Sequence, residues 1–178
     1  MLDHNSIVIF LLLFASIGLL DEVFYHHLKF NLFGHKECLK ENILHTSRAL
    51  IYSILFIVVA NFHVYGLLAY CMLGILVLDI IVAVWDILEE PKSRKKFGGL
   101  SAGEYLLHMI LSFYLGIFYF NYVSYLVPKL DIETGYSLTT EINIYAKYGL
   151  TAAGLGCLLM FIYSVFSLSK RSINSGES

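Results

Sequence analysis

The chain alternates long apolar stretches with short polar ones, and the apolar stretches are far too long to be strands. A helix that crosses a bilayer needs about 20 mostly apolar residues at about 1.5 Å rise each. Five stretches reach that length, and they predict helices over residues 6–29, 38–62, 65–90, 102–126 and 144–168. The break between the second and third, around His63, is very short, which predicts a tight antiparallel hairpin. Longer polar connections fall at residues 91–99 and 128–143. The first stretch lacks a basic leader and a small-residue cleavage site, so it is read as a retained helix and not as a signal peptide.

Composition sharpens this picture. With 58% hydrophobic residues, 15% charged residues and a mean hydropathy of +0.71, the chain is too apolar for an ordinary soluble domain. The expected fold is an all-α integral membrane protein, a single transmembrane domain over 1–178 whose helices one to four form an up-down bundle. A net charge of -2 gives no basis for a nucleic-acid partner. Cys38, Cys71 and Cys157 are odd in number and contain no CxxC pair, which favours small buried hydrophobes over disulfides or a zinc knuckle.

Following the chain through five crossings puts Lys29, Lys36, Lys40, Arg48, the basic run Lys92, Arg94, Lys95 and Lys96, and then Lys170 and Arg171 on one side. Lys129 and Lys147 fall on the other. The positive-inside bias then predicts an N-terminus outside and a C-terminus in the cytoplasm. The run over 92–96 is read as topogenic, with a receptor for anionic head groups as the alternative. On the fifth helix Gly149, Ala152, Ala153, Gly154 and Gly156 permit close helix packing or a homodimer.

Ionisable side chains inside membrane helices are costly, so each needs a partner or a task. Three Glu-x-x-x-His pairs occur on three different helices: Glu22 with His26, Glu41 with His45, and Glu104 with His108. That spacing puts both side chains on one helical face, one turn apart, as two ligands of one centre must be. Asp79 and Asp86, seven residues apart, share a face of the third helix. Because the helices alternate in direction, all of these groups converge at one depth, on the predicted cytoplasmic side.

The expected metal ligands are Glu22, His26, Glu41, His45, Asp86, Glu104 and His108. Asp79 lies deeper, as a further ligand, a group orienting a His or a proton carrier. Asp21 and Glu22 point about 100° apart on an ideal helix, so one of them is expected to face the metals. His27, His35, Glu37, Glu89 and Glu90 are expected at the solvated interface, and His4 and His63 too far away to join. Arg48 is expected to neutralise a carboxylate.

This donor set exceeds what one tetrahedral zinc requires. Two transition-metal ions fit better, iron in preference to zinc or manganese. The arrangement resembles, in architecture alone, the ferritin-like carboxylate-bridged di-metal bundles, although their His spacing is i,i+3. The HxxxH and HxxHH boxes of membrane desaturases and hydroxylases are absent.

The expected function is a membrane metalloenzyme, a non-haem oxidoreductase that hydroxylates or desaturates a membrane lipid or another apolar small molecule with the help of an electron donor. Four alternatives stand beside it. They are a divalent-cation or proton transporter using the same cluster, a metal-dependent lipid hydrolase, a haem protein with two of His26, His45, His63 and His108 as axial ligands, and an ion-pair network with no metal.

Overall fold

The computed structural model describes residues 2–174, with side chains through Ser169. The side chains of Lys170 and Arg171, which entered the charge count above, lie outside the described residues. Among the described residues, five helices are long and apolar enough to cross a membrane. They are α1 (His4–Leu20), α2 (Leu39–Asn61), α3 (Leu67–Ser93), α4 (Ala102–Leu126) and α5 (Ile144–Asn174). The first continues without a break into a π-helical segment, Asp21–Lys29. Asp3 caps α1 by accepting from the Ser6 amide at 2.7 Å, and Ser101 caps α4 by accepting from the Glu104 amide at 3.4 Å.

The surface and interior are inverted relative to a water-soluble protein. Leu28, Trp85, Leu88, Phe113 and Phe120 are exposed, while Asp79, Glu41, Glu104 and Arg94 are wholly buried. Apolar surface of this extent is stable against lipid and not against water.

Helices α2 and α5 form the most extensive contact of the fold. Small residues make it possible. A Cβ placed on Gly154 would lie 2.8 Å from Ile57 Cγ1 and 3.2 Å from the Ser53 carbonyl, so only glycine lets the two backbones approach this closely. Asn61 Nδ2 then donates to Thr151 Oγ1 at 2.8 Å across the same contact.

The connection after α2 differs from the expected bare hairpin. Residues Phe62–Tyr65 form strand β1, which pairs antiparallel with β2, Gly135–Leu138, in the register Phe62 with Leu138 and Tyr65 with Gly135. A four-residue strand at a helix end carries no period of its own, and its partner lies some seventy residues away, so periodicity absorbed it into the helices. Gly66 follows with φ +55°, and a Cβ there would meet the Ile132 carbonyl oxygen at 2.7 Å. Its amide donates to the Lys129 carbonyl at 2.9 Å, tying the loop after α4 to the start of α3.

The interior divides into two halves. One is an apolar core of Ile7, Leu11, Leu55, Val59, Phe118 and Tyr122. The other holds the carboxylates and imidazoles. A cavity of about 750 Å³, walled by residues of all five helices, opens onto the charged half.

Candidate metal centre

The π-helical segment decides which side chains meet. In a π-helix the hydrogen bonds run i to i+5, so residues five apart stack above one another. Asp21 thereby comes under His26, at 3.7 Å from Oδ2 to Nε2, and Glu22 comes under His27, at 3.2 Å from Oε1 to Nε2. Glu22 Oε2 also reaches His26 Nδ1 at 3.8 Å. Asp21 and Glu22 therefore both face inward, where an ideal α-helix would have turned one of them away.

His26 is buried at the centre of two groups able to hold an ion. The first comprises Glu22, His26 and His45; the second comprises Asp21, His26 and His108. His26 turns Nδ1 toward the first and Nε2 toward the second. The first group closes with His45 Nδ1, 3.8 Å from Glu22 Oε2, and the second with His108 Nε2, 3.1 Å from Asp21 Oδ2. Separations near 3.7 Å are too long for hydrogen bonds. They match the distance between two ligands that each stand about 2.0–2.2 Å from a shared ion.

A carboxylate also backs each outer imidazole. Asp86 Oδ2 lies 3.2 Å from His45 Nε2, off the axis of a straight hydrogen bond, and Glu90 Oε1 lies 3.3 Å from His108 Nδ1. Carboxylates in this position orient metal-binding imidazoles and raise their basicity. Glu90 and its neighbour Glu89 are buried, which corrects the expectation that both are solvated. Their position in the last turns of α3, before Pro91 and the turn Arg94–Phe97, folds them inward.

Glu41 and Glu104 occupy a different environment. Arg94 Nη2 lies 2.8 Å from Glu41 Oε1 and 2.8 Å from Glu104 Oε1, with all three side chains fully buried. Arg94 Nε donates to Glu41 Oε1 at 3.0 Å, and the Ser93 hydroxyl donates to Glu41 Oε2. Arg94 also packs its guanidinium 5.2 Å over the Phe30 ring and lies 3.4 Å from His26 Nε2. Arg94 thus stands apart from the basic run in which the sequence places it. The turn after α3 carries it inward, while Lys92, Lys95 and Lys96 stay outside. Only its being the one Arg among lysines marked it, since a guanidinium can fork between two carboxylates.

Deeper in, Arg48 bridges Asp79 and Asp86, with Nε 3.4 Å from Asp79 Oδ1 and Nη1 3.4 Å from Asp86 Oδ2. Asp79 also accepts from the Tyr52 hydroxyl at 3.3 Å and from the Tyr119 hydroxyl. It joins neither ion-holding group. His4 and His63 lie at the opposite end of the molecule, together with Glu141.

No family model, curated protein or solved structure matches the chain. The chemistry of the site rests on its own residues. Seven carboxylates, Asp21, Glu22, Glu41, Asp79, Asp86, Glu90 and Glu104, face two guanidinium groups, Arg48 and Arg94. Asp21 Oδ1, Asp86 Oδ1 and both carboxylate oxygens of Glu104 are buried and accept no hydrogen bond from any described residue. An anionic excess of this size in an apolar helical interior calls for relief, supplied by protons on the carboxylates, by protons on the imidazoles or by metal ions.

Proposed function

We propose that the chain is a membrane metalloenzyme with a dinuclear carboxylate and histidine centre, acting on a lipid-like substrate held in the central cavity. The observation that carries this reading is the sharing of His26 between two ion-holding groups, each completed by one further imidazole and one carboxylate. Three protein ligands per ion leave positions open for substrate or solvent, the mark of catalytic rather than structural sites. Glu22, His26 and His45 would hold one ion, and Asp21, His26 and His108 the other, with His26 giving up its ring proton to solvent and bridging the two as an imidazolate.

The cavity supports a lipid-like substrate. Its volume falls within the range of about 300–1,000 Å³ usual for small-molecule sites. Leu12, Phe14, Phe56, Leu111, Leu115 and Met160 wall it, while Glu22, His45, Asp86 and His108 form its polar end. An apolar chain would lie along the walls with its reacting carbon at the ligands.

Bound iron would supply dioxygen activation for hydroxylation or desaturation, whereas zinc or manganese would supply activated water for hydrolysis. Carboxylate-rich ligation by hard oxygen and imidazole donors favours iron, and with it the oxidative reaction and a need for an electron donor. Arg48, fixed by Asp79 and facing the cavity, holds Asp86 in place behind His45. The charge bias of the loops supports a cytoplasmic position for the site.

A haem in this cluster is disfavoured because the His26 and His45 rings stand 4.2 Å apart, leaving no room for a macrocycle between them. A transport path is disfavoured because the apolar core of Ile7, Leu55, Val59 and Phe118 separates the cluster from the other end.

Elemental analysis of the purified, metal-replete protein beside its His26→Ala variant tests the reading, with about two fewer transition-metal ions per chain expected in the variant. Equal metal content in the two would sink it. Mass spectrometry of lipids incubated with the reduced iron-loaded protein in air should then reveal a hydroxylated or desaturated product, and a hydrolysed product would replace the oxidative version with the hydrolytic one.

A further inference from the structure

At the end opposite His26, three side chains from distant parts of the sequence meet. His4 begins α1, His63 lies in β1, and Glu141 precedes α5. The pairing of β1 with β2 brings the third into place, helped by the Thr139 amide and hydroxyl, which donate to the Asn61 and Ala60 carbonyls at 3.0 and 2.7 Å.

The two imidazoles and the carboxylate are close enough to share a cation. His4 Nε2 lies 2.9 Å from the Val59 carbonyl oxygen, which can only accept, so this Nε2 carries a proton. His4 Nδ1 is turned to the other two side chains, 3.1 Å from His63 Nδ1 and 3.8 Å from Glu141 Oε1. His63 presents Nδ1 to His4 and to the Tyr125 hydroxyl, and Nε2 to Glu141 Oε1 at 2.7 Å.

We infer that His4 Nδ1, a ring nitrogen of His63 and the Glu141 carboxylate bind a single zinc-like divalent cation at this end of the molecule. Two nitrogens about 2.0–2.1 Å from a tetrahedral zinc stand about 3.3 Å apart, close to the observed separation. One nitrogen from each His and a Glu141 oxygen all lie within 4.8 Å of one another. The Val59 carbonyl behind His4 Nε2 fixes that ring in the tautomer that leaves Nδ1 for a metal. Two His and one carboxylate leave a fourth position for solvent, and Glu141, half-exposed, gives the ion a way in.

The site stands apart from the His26 centre, and the experiment keeps the two separate. The full chain carrying His26→Ala and His108→Ala is purified in detergent, stripped of metal and titrated with zinc chloride. About one zinc per chain is expected to remain bound, and cobalt in its place should give the absorption bands of a tetrahedral site. Adding His63→Ala should abolish binding, and adding Glu141→Gln should weaken it about tenfold. Glu141 is exposed enough for its variant to fold, so it decides the question if the His63 variant does not. Absence of zinc binding in the parent, or binding untouched by Glu141→Gln, overturns the site. The same holds if NMR of the metal-free protein shows His63 as an imidazolium at neutral pH and added zinc leaves it so.

Discussion

The Arg94 cluster and the His26 cluster adjoin one another and are built from the same residue types, yet their carboxylates have opposite circumstances. Glu41 and Glu104 share a fixed guanidinium at 2.8 Å each. Their charge is paired with a guanidinium, although both Glu104 oxygens are buried without an aligned hydrogen bond. Asp21 and Glu22 face imidazoles, some at hydrogen-bonding distance (His108 and His27) and some at the longer separations that suit ion ligation (His26 and His45). A Glu-x-x-x-His pair thus states that two groups share a helical face, but a cation from another element decides whether the carboxylate is a strut or a ligand.

The largest effect that separates the two clusters concerns stability. Arg94→Ala strands two buried carboxylates, and a loss of about 3–5 kcal/mol is expected in denaturant unfolding of the detergent-solubilised protein. Combining Arg94→Met with Glu41→Gln and Glu104→Gln should recover most of that loss. If Arg94→Ala unfolds like wild type, the strut assignment is wrong.

Next comes the sharing of His26. His26→Ala should remove about two metal ions per chain, whereas His45→Ala should remove about one. Equal losses in elemental analysis would break the idea that one imidazole serves both groups.

A smaller and sharper contrast pits one glutamate against another. Glu22→Gln should weaken metal affinity about 10- to 100-fold with little change in unfolding, and Glu41→Gln should do the reverse. Competitive chelation combined with thermal melts reads both quantities. The smallest effect is expected from Asp79→Asn, which keeps acceptors for Tyr52 and Tyr119 and leaves Arg48 paired with Asp86. A loss of about 1–2 kcal/mol is expected, with metal content unchanged.

How much of this was legible in the sequence follows from the range over which each signal acts. The five spans are visible because hydropathy accumulates within one segment, and each helix appears within a few residues of its expected bounds. Glu22 and His26, or His45 and Asp86, could be placed at one depth because helix direction and i,i+4 spacing are properties of the chain itself. Arg94 was misplaced because its neighbours Lys92, Lys95 and Lys96 are solvated, and only the fold after Pro91 turns it inward. Glu141 stayed hidden for a similar reason. Its partners lie more than seventy residues away, and the strand pair that delivers it has no periodicity to read.

The π-helical segment has one further consequence, for the rate at which the His26 centre could load and unload. Backbone bonds spanning i to i+5 are weaker than those of an α-helix, so Asp21–Lys29 is the turn of α1 most ready to open on its own. Asp21, Glu22 and His26 all reside on it, so a single local opening would release one ligand from each group together with the imidazole they share. Amide exchange over that segment, fast without metal and slow with it, would report the occupancy of both groups at once.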